Sequence, residues 1–455
     1  MADEQKVLKK LHKLSPAQLL LIFYGLAIIF STILLSLPVA YKEGVHIPFI
    51  DILFTAVSAV SVTGLSTISV GDSFSTTGII FLAIILHLGA VGIMTVSTFL
   101  WLIIGKKIGL SERRLIMQDQ NQTTFGGMVH LIKQIILIVL VIEAIFVFLL
   151  GTYYIPHFSN VKDAYLNGFF STISAISNAG FTLTNDSLVP YANDYFVQSA
   201  IMFLIIFGAI GFPVLVEVKQ YIFLHKREKR QFRFTLFTKV TSITFFSLII
   251  IGTIFIYIFD RTNFFQGKSW HESLFYALFQ SVTTRSSGLS TMDVSMLSET
   301  NHLFMSFLMF IGASPSSAGG GIRTTTFALV VIFLITFIRG GKNLKLFNRE
   351  VYEEDLQKAV TVMIVAIMMV FVSLMILSLI EDVSVLSLFF EVTSAFGTVG
   401  LSLGITEELS TVSKCILMIL MFIGRVGIIT FLLTFRKLAT NEQFIHYPKE
   451  RILVG

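Results

Sequence analysis

Hydrophobic residues gather in eight runs, near 17–37, 76–104, 129–155, 194–224, 235–259, 300–338, 359–380 and 411–435. Each is long enough to cross about 30 Å of hydrocarbon as a helix. Between the members of each successive pair lies a less hydrophobic stretch of around ten residues, such as Asp51 to Val60, which suits a short helix entering the membrane but cannot span it. The run from 300 to 338 is too long for one straight crossing. It is interrupted from Gly312 to Thr326, where Pro315 and the triplet Gly319 to Gly321 exclude regular helix throughout.

The half-polar stretches share one phrase: Phe54 to Gly64-Leu65, Phe170 to Gly180-Phe181, Leu278 to Gly288-Leu289 and Phe390 to Gly400-Leu401. The four glycines are 116, 108 and 112 residues apart, and a hydroxyl (Ser66, Thr182, Ser290, Ser402) follows two residues later. A second glycine, Gly89, Gly208, Gly312 or Gly424, lies 25, 28, 24 or 24 residues downstream. Four matched pairs at near-constant spacing indicate fourfold internal duplication.

Each unit therefore reads as helix, half-crossing helix, short glycine strand, helix. Extended backbone at membrane depth is allowed only where it lines water or ions. Four such strands around an axis would present rings of carbonyl oxygens that replace a cation's water shell, and the short helices would aim their negative ends at the pore. The competing reading is a small-residue packing motif between helices. The polar residues ahead of the glycines (Ser61, Thr63, Ser177, Asn178, Ser286, Ser287, Thr398) favour the pore, since packing does not require them.

Composition agrees with a polytopic membrane protein: 54% of the 455 residues are hydrophobic, 13% are charged, and the mean hydropathy is +0.82. The first run lacks a following cleavage site and is expected to stay as an anchor. Of 33 Lys and Arg, 25 fall in 1–16, 105–133, 219–240, 339–358 and 436–455, which predicts both termini cytoplasmic and a multi-pass plasma-membrane location. Lys226 to Arg230 then reads as a juxtamembrane cluster, not a nucleic-acid patch. Cys415 alone supports no disulfide and reads as a small hydrophobe.

The expected organisation is an N-terminal cytoplasmic segment 1–16, pore repeats 17–104, 129–224, 235–338 and 359–435, linkers 105–128, 225–234 and 339–358, and a C-terminal segment 436–455. The fold class is an all-α membrane protein of eight transmembrane helices and four re-entrant half-helices around one pore.

The phrases Ser61-Val-Thr-Gly64-Leu, Asn178-Ala-Gly180-Phe, Thr284-Arg-Ser-Ser-Gly288-Leu and Phe396-Gly-Thr-Val-Gly400-Leu resemble the four filter signatures of the Trk/Ktr/HKT superfamily of potassium transporters. Met421-Phe-Ile-Gly-Arg425-Val-Gly and the overall length resemble KtrB-type membrane subunits in particular. The resemblance implies potassium bound by a filter of Val62, Thr63, Gly64, Asn178, Ala179, Gly180, Ser286, Ser287, Gly288, Thr398, Val399 and Gly400. Members with serine at the first filter glycine tend to favour sodium, so four glycines imply potassium. It also implies a homodimer on a cytoplasmic ring of nucleotide-binding (ATP/ADP or NAD-type) regulatory subunits, with sodium an activator in several members. No phosphate loop or dinucleotide fingerprint occurs in this chain, so nucleotide control falls to the partner.

The same resemblance makes Gly312, Ala313, Ser314, Pro315, Ser316, Ser317, Ala318, Gly319, Gly320, Gly321 and Arg323 an intramembrane gating loop, against the simpler reading of a Pro/Gly kink. Relatives often have lysine where Arg323 stands. Arg425, mid-span, must face the interior. It either donates to loop carbonyls, stands as an electrostatic barrier, or pairs with Glu391 or another carboxylate. Arg285 and Glu391 are expected to brace the half-helices by charge pairing. Glu143 and Glu217 could be proton or sodium sites or pair between helices, and His87 reads as a core residue. No zinc motif or nucleophile elbow points to an enzyme. The alternative function is a secondary transporter coupling sodium or protons to potassium.

Overall fold

The computed structural model describes residues 14–92, 95, 96, 98, 109–119, 128–341, 343–435 and 450. Most of the expected terminal segments, and much of 76–104 beyond Gly92 and of the 105–128 linker, lie outside the described residues.

The helices, in order, are α1 (Pro16–Leu35), α2 (Phe49–Ser61), α3 (Thr76–Val91), α4 (Leu110–Asp119), α5 (Met128–Tyr154), α6 (Val161–Ile176), α7 (Tyr195–Ala209), α8 (Phe212–Phe223), α9 (Leu236–Phe259), α10 (Trp270–Thr283), α11 (Glu299–Ile311), α12 (Thr324–Ile338), α13 (Glu353–Ile380), α14 (Val385–Gly397), α15 (Thr411–Val426) and α16 (Ile428–Phe435). A two-residue hairpin, Lys345–Leu346 with Arg349–Glu350, is a small departure from an all-helical chain.

The first helix of each unit is long and unbroken by glycine bends: Pro16–Leu35, Val129–His157, Leu236–Phe259 and Glu353–Ile380 are each long and apolar enough to span a bilayer. The second is not. The expected straight crossings 194–224 and 411–435 are bent pairs, α7 with α8 at 105° and α15 with α16 at 97°. The physical reason is glycine with positive φ, which regular helix does not accommodate. Gly211 (φ 102) and Gly427 (φ 92) sit at the two bends, and Gly92 (φ 93) ends α3 in the same way. An interruption was expected only at 312–326; the break recurs in every unit.

Each second helix starts on a side-chain cap: Ser75, Asp194, Ser298 and Ser410 accept from amides in the first turn. Gly89, Gly208, Gly312 and Gly424 all lie 14 residues after these caps, so the variation in glycine spacing belongs wholly to the loop before the helix.

Burial runs inside out relative to a soluble protein. Leu379 (86% exposed), Phe148 and Ile33 face outward, whereas Thr55, Ser58, Thr63, Ser174, Ser281 and Ser394 are buried at the centre. A hydrocarbon surround explains the outside, and a polar axis explains the inside.

Candidate functional site

The half-crossing helices α2, α6, α10 and α14 end three to five residues before their glycines. In all four the residue two places before the glycine is left-handed: Val62 (φ 56), Asn178 (φ 55), Ser286 (φ 77) and Thr398 (φ 48). The glycines follow with φ 93, 69, 74 and 93. A β-branched residue in this region costs roughly 1–3 kcal/mol and persists only where surroundings enforce it. They do so here by one closure used in three units. The left-handed amide donates three residues back (Val62 to Ala59, Asn178 to Ala175, Thr398 to Ala395, each 3.1 Å), and the next amide donates five back (Thr63 to Ser58, Ala179 to Ser174, Val399 to Ser394, each 2.8 Å). This is the Schellman closure of a helix end, with glycine replaced at its usual place.

The four strands close a ring. A methyl built on Gly64 would lie 2.9 Å from the Gly180 Cα, one on Gly180 3.3 Å from Gly288, one on Gly288 2.9 Å from Gly400, and one on Gly400 3.0 Å from Gly64. Each would also meet the carbonyl oxygen just before the next glycine, those of Ala179, Ser287, Val399 and Thr63 in turn. A Cβ has no room at any of the four. The short helices, ending beside this ring, turn their negative ends toward it.

Side chains hold the strands from behind. Ser58 and Ser394 accept from the amides of Gly64 (3.0 Å) and Gly400 (3.1 Å), while Ser174 and Thr283 donate to the carbonyls of Phe181 and Leu289 (2.6 Å each). Of the hydroxyls two residues past the glycines, Ser66, Thr182 and Ser290 bond to the carbonyls of Ile68, Thr184 and Met292, whereas Ser402 donates to Glu391. Glu391 also accepts from the Leu403 amide (3.2 Å) and Thr406 (3.0 Å). Arg285, fully buried, donates to the Leu308 carbonyl at 2.6 Å. Both residues brace their strands, but each does so through neutral partners; among the described residues neither belongs to an ion pair.

The second glycines pack on the half-helices. A methyl on Gly89, Gly208 or Gly424 would strike the carbonyl of Val60, Ile176 or Phe396, in each case four residues before the ring glycine. Gly312 does something else: with φ 65 it turns the chain into the loop that separates α11 from α12.

That loop is buried from Gly312 to Ile322 except for half-buried Pro315. Its hydrogen bonds follow from the helix breaks, which leave carbonyls without an amide one turn on. Ser314 and Ala318 donate to Ala209 (3.0 Å) and Gly208 (2.9 Å) at the end of α7, and Phe212 donates back to Ser316 (2.8 Å). Arg425, 7% exposed, takes the rest. One guanidinium nitrogen donates to loop carbonyls, those of Ala318, Gly319 (3.3 Å) and Ser317 (3.4 Å); the other donates to Gly89 and Ala90 (2.9 Å) at the end of α3. The arginine bonds to loop carbonyls, as one expectation had it, and not to Glu391. Arg323 donates within the loop, to Gly319 and Ser314. A simple kink does not describe a segment hydrogen-bonded to two other units.

Further charges find partners across the helices. His87 meets Glu143 at 3.1 Å, linking α3 to α5. Glu217 accepts from the Thr235 amide at 3.3 Å. Lys414, within the run 411–435, is buried in α15 and bonds Asp51 of α2 at 2.9 Å. Sequence reasoning missed this pair, 363 residues apart, as well as the left-handed residues before the glycines. The serine six residues ahead of Gly64, Gly180 and Gly400 was the available signal for the strand supports.

The TrkH family model, described as a cation transport protein, matches residues 21–447. The chain is 54% identical over 447 residues to the Ktr system potassium uptake protein D of Bacillus subtilis, covering 98% of this chain and 99% of that one. It is 35% identical over 458 residues to the Ktr system potassium uptake protein B of the same organism, covering 100% and 99%. The crystal structure of the potassium transporter TrkH from Vibrio parahaemolyticus shares the fold, with a TM-score of 0.70 over 91% of this chain and 84% of that one, at 17% identity. With the match spanning nearly its whole length, this chain belongs to the TrkH family of cation transport proteins.

Proposed function

We propose that the protein takes up potassium across the plasma membrane through a pore of four repeats, 17–104, 129–224, 235–338 and 359–435, with both termini in the cytoplasm. The carrying observation is the closed ring in which each of Gly64, Gly180, Gly288 and Gly400 abuts the next. Carbonyls of Val62 to Gly64, Asn178 to Gly180, Ser286 to Gly288 and Thr398 to Gly400 replace the ion's water, and the substrate is the metal ion itself. The names of the relatives, Ktr system potassium uptake proteins, support potassium as the ion and a multi-component system as the setting. A relative from Enterococcus hirae, 32% identical, is named a potassium/sodium uptake protein, which supports a part for sodium.

The loop from Gly312 to Arg323 is the gate, held by Arg425, and a cytoplasmic ring of nucleotide-binding subunits moves it in a homodimeric assembly. Uptake measured in a potassium-transport-deficient cell, with and without a proton uncoupler, tests the pore reading. Gly64→Ser, whose Cβ has no room against Ala179, should weaken discrimination against sodium. Unchanged selectivity in a well-expressed Gly64→Ser protein would overturn the filter assignment.

A further inference from the structure

The four left-handed residues at the start of the ring strands share a positive φ but not a side chain, and Ser286 stands in the one unit without the helix-end closure of the other three. Val62 has no polar atom to offer, and Asn178 turns its amide toward Ala175, Ile205 and Ala209. Ser286 and Thr398 are fully buried and face each other across two strands. Ser286 Oγ donates to the Thr398 main-chain carbonyl at 2.7 Å and lies 3.0 Å from Thr398 Oγ1. The Gly320 amide of the loop donates to the same Ser286 oxygen at 3.1 Å.

The hydroxyl inventory closes on this arrangement. Ser286 has one proton, given to the Thr398 carbonyl, and two lone pairs, taken by the Gly320 amide and the Thr398 hydroxyl. Neighbouring groups leave no slack. A methyl on Gly320 would come within 2.8 Å of Thr398 Cγ2 and of the Gly424 carbonyl, and one on Gly319 within 2.6 Å of Ser286 Cβ. One of the four carbonyls at this level thus has one of its two lone pairs engaged by a neighbouring strand while the loop is seated.

We infer that Ser286 is a positioning residue that couples the loop to the filter: while Gly320 is seated, its hydroxyl holds the Thr398 carbonyl away from an ion, and departure of the loop frees that carbonyl to complete the first ring. This rests on the pore reading above and adds to it a route by which the gate acts on ion binding as well as on access. The loop amide orients the serine by occupying one of its lone pairs. Without that anchor the hydroxyl is free to turn, and the carbonyl returns to the axis.

The test is rubidium flux and rubidium/sodium competition in liposomes holding the purified full chain, for wild type, Ser286→Ala, Gly320→Ala and the double variant. Loss of one hydrogen bond that favours the seated state should raise Ser286→Ala flux about twofold to tenfold. Gly320→Ala, which unseats the loop by contact with Thr398, should raise it too, and adding Ser286→Ala to it should change nothing further. Thr398→Val, which keeps shape and removes the second hydroxyl, should follow Ser286→Ala in direction and guards against a folding defect in either one.

Flux in Ser286→Ala and Thr398→Val equal to wild type, or an equal increment from Ser286→Ala in both backgrounds, overturns the coupling. Failure of the pore reading looks different: wild type and Gly320→Ala would then both lack rubidium-selective flux.

Discussion

Arg425→Ala is the sharpest probe of how the loop is held. The substitution removes one nitrogen shared among three loop carbonyls and a second shared between Gly89 and Ala90. Charge-assisted hydrogen bonds contribute about 1.5–3 kcal/mol net each. Counting only the nitrogen on the loop, the seated state loses about that much relative to a displaced one, a shift of roughly 10- to 100-fold. A loop displaced in about 1% of molecules would become displaced in roughly 10–50%, and rubidium influx into potassium-loaded liposomes should rise in proportion. Arg425→Lys separates the two mechanisms that remain once pairing with Glu391 is set aside. It keeps the charge but not the fork that spans two sets of carbonyls, so a tether predicts intermediate flux and a pure electrostatic barrier predicts wild-type flux. Arg425→Ala protein that reconstitutes normally yet conducts no faster than wild type would refute the reasoning.

Two further outcomes follow from the charges. Lys414→Met strands the Asp51 carboxylate in a buried setting and should cost about 3–5 kcal/mol, read as a lowered melting temperature in detergent, whereas the double variant with Asp51→Leu should recover most of it. In the loop after the first ring strand, hydrogen bonds from Asn185 and then Ser69 hold the exposed Asp72 carboxyl below its ordinary value of 3.8. A lowered folded value means the contact is present above 3.8 and is lost only as pH falls through a still lower point. The melting-temperature difference between wild type and Asp72→Asn should therefore stay flat from about pH 5 to 8, and a step inside that window would contradict the assignment.

Much of the architecture was readable because membrane crossing constrains a chain so severely. The half-helices and the ring glycines coincide with the stretches that hydropathy and repetition single out, whereas the loop expected over 312–326 ends at Arg323, because Thr324 already starts α12. Less legible were the breaks at Gly92, Gly211 and Gly427. A glycine within an apolar run is compatible with straight helix, and only its positive φ ends one. The partners of Arg285 and Glu391, and those of Arg425 in α3, were out of reach for a related reason. Long polar side chains can pair with a charge or with a carbonyl, and freed carbonyls exist only once the breaks are known.

By itself the chain indicated a duplication and marked its recurring glycines and half-polar stretches, since these follow from period, length and hydropathy along one dimension. Tertiary structure decided what meets what: that the four glycines abut in cyclic order, that Lys414 finds Asp51, and that carbonyls orphaned in two units are satisfied by the loop of a third and an arginine of the fourth. Such contacts join residues hundreds of positions apart, and their existence rests on backbone groups whose availability only the folded path reveals.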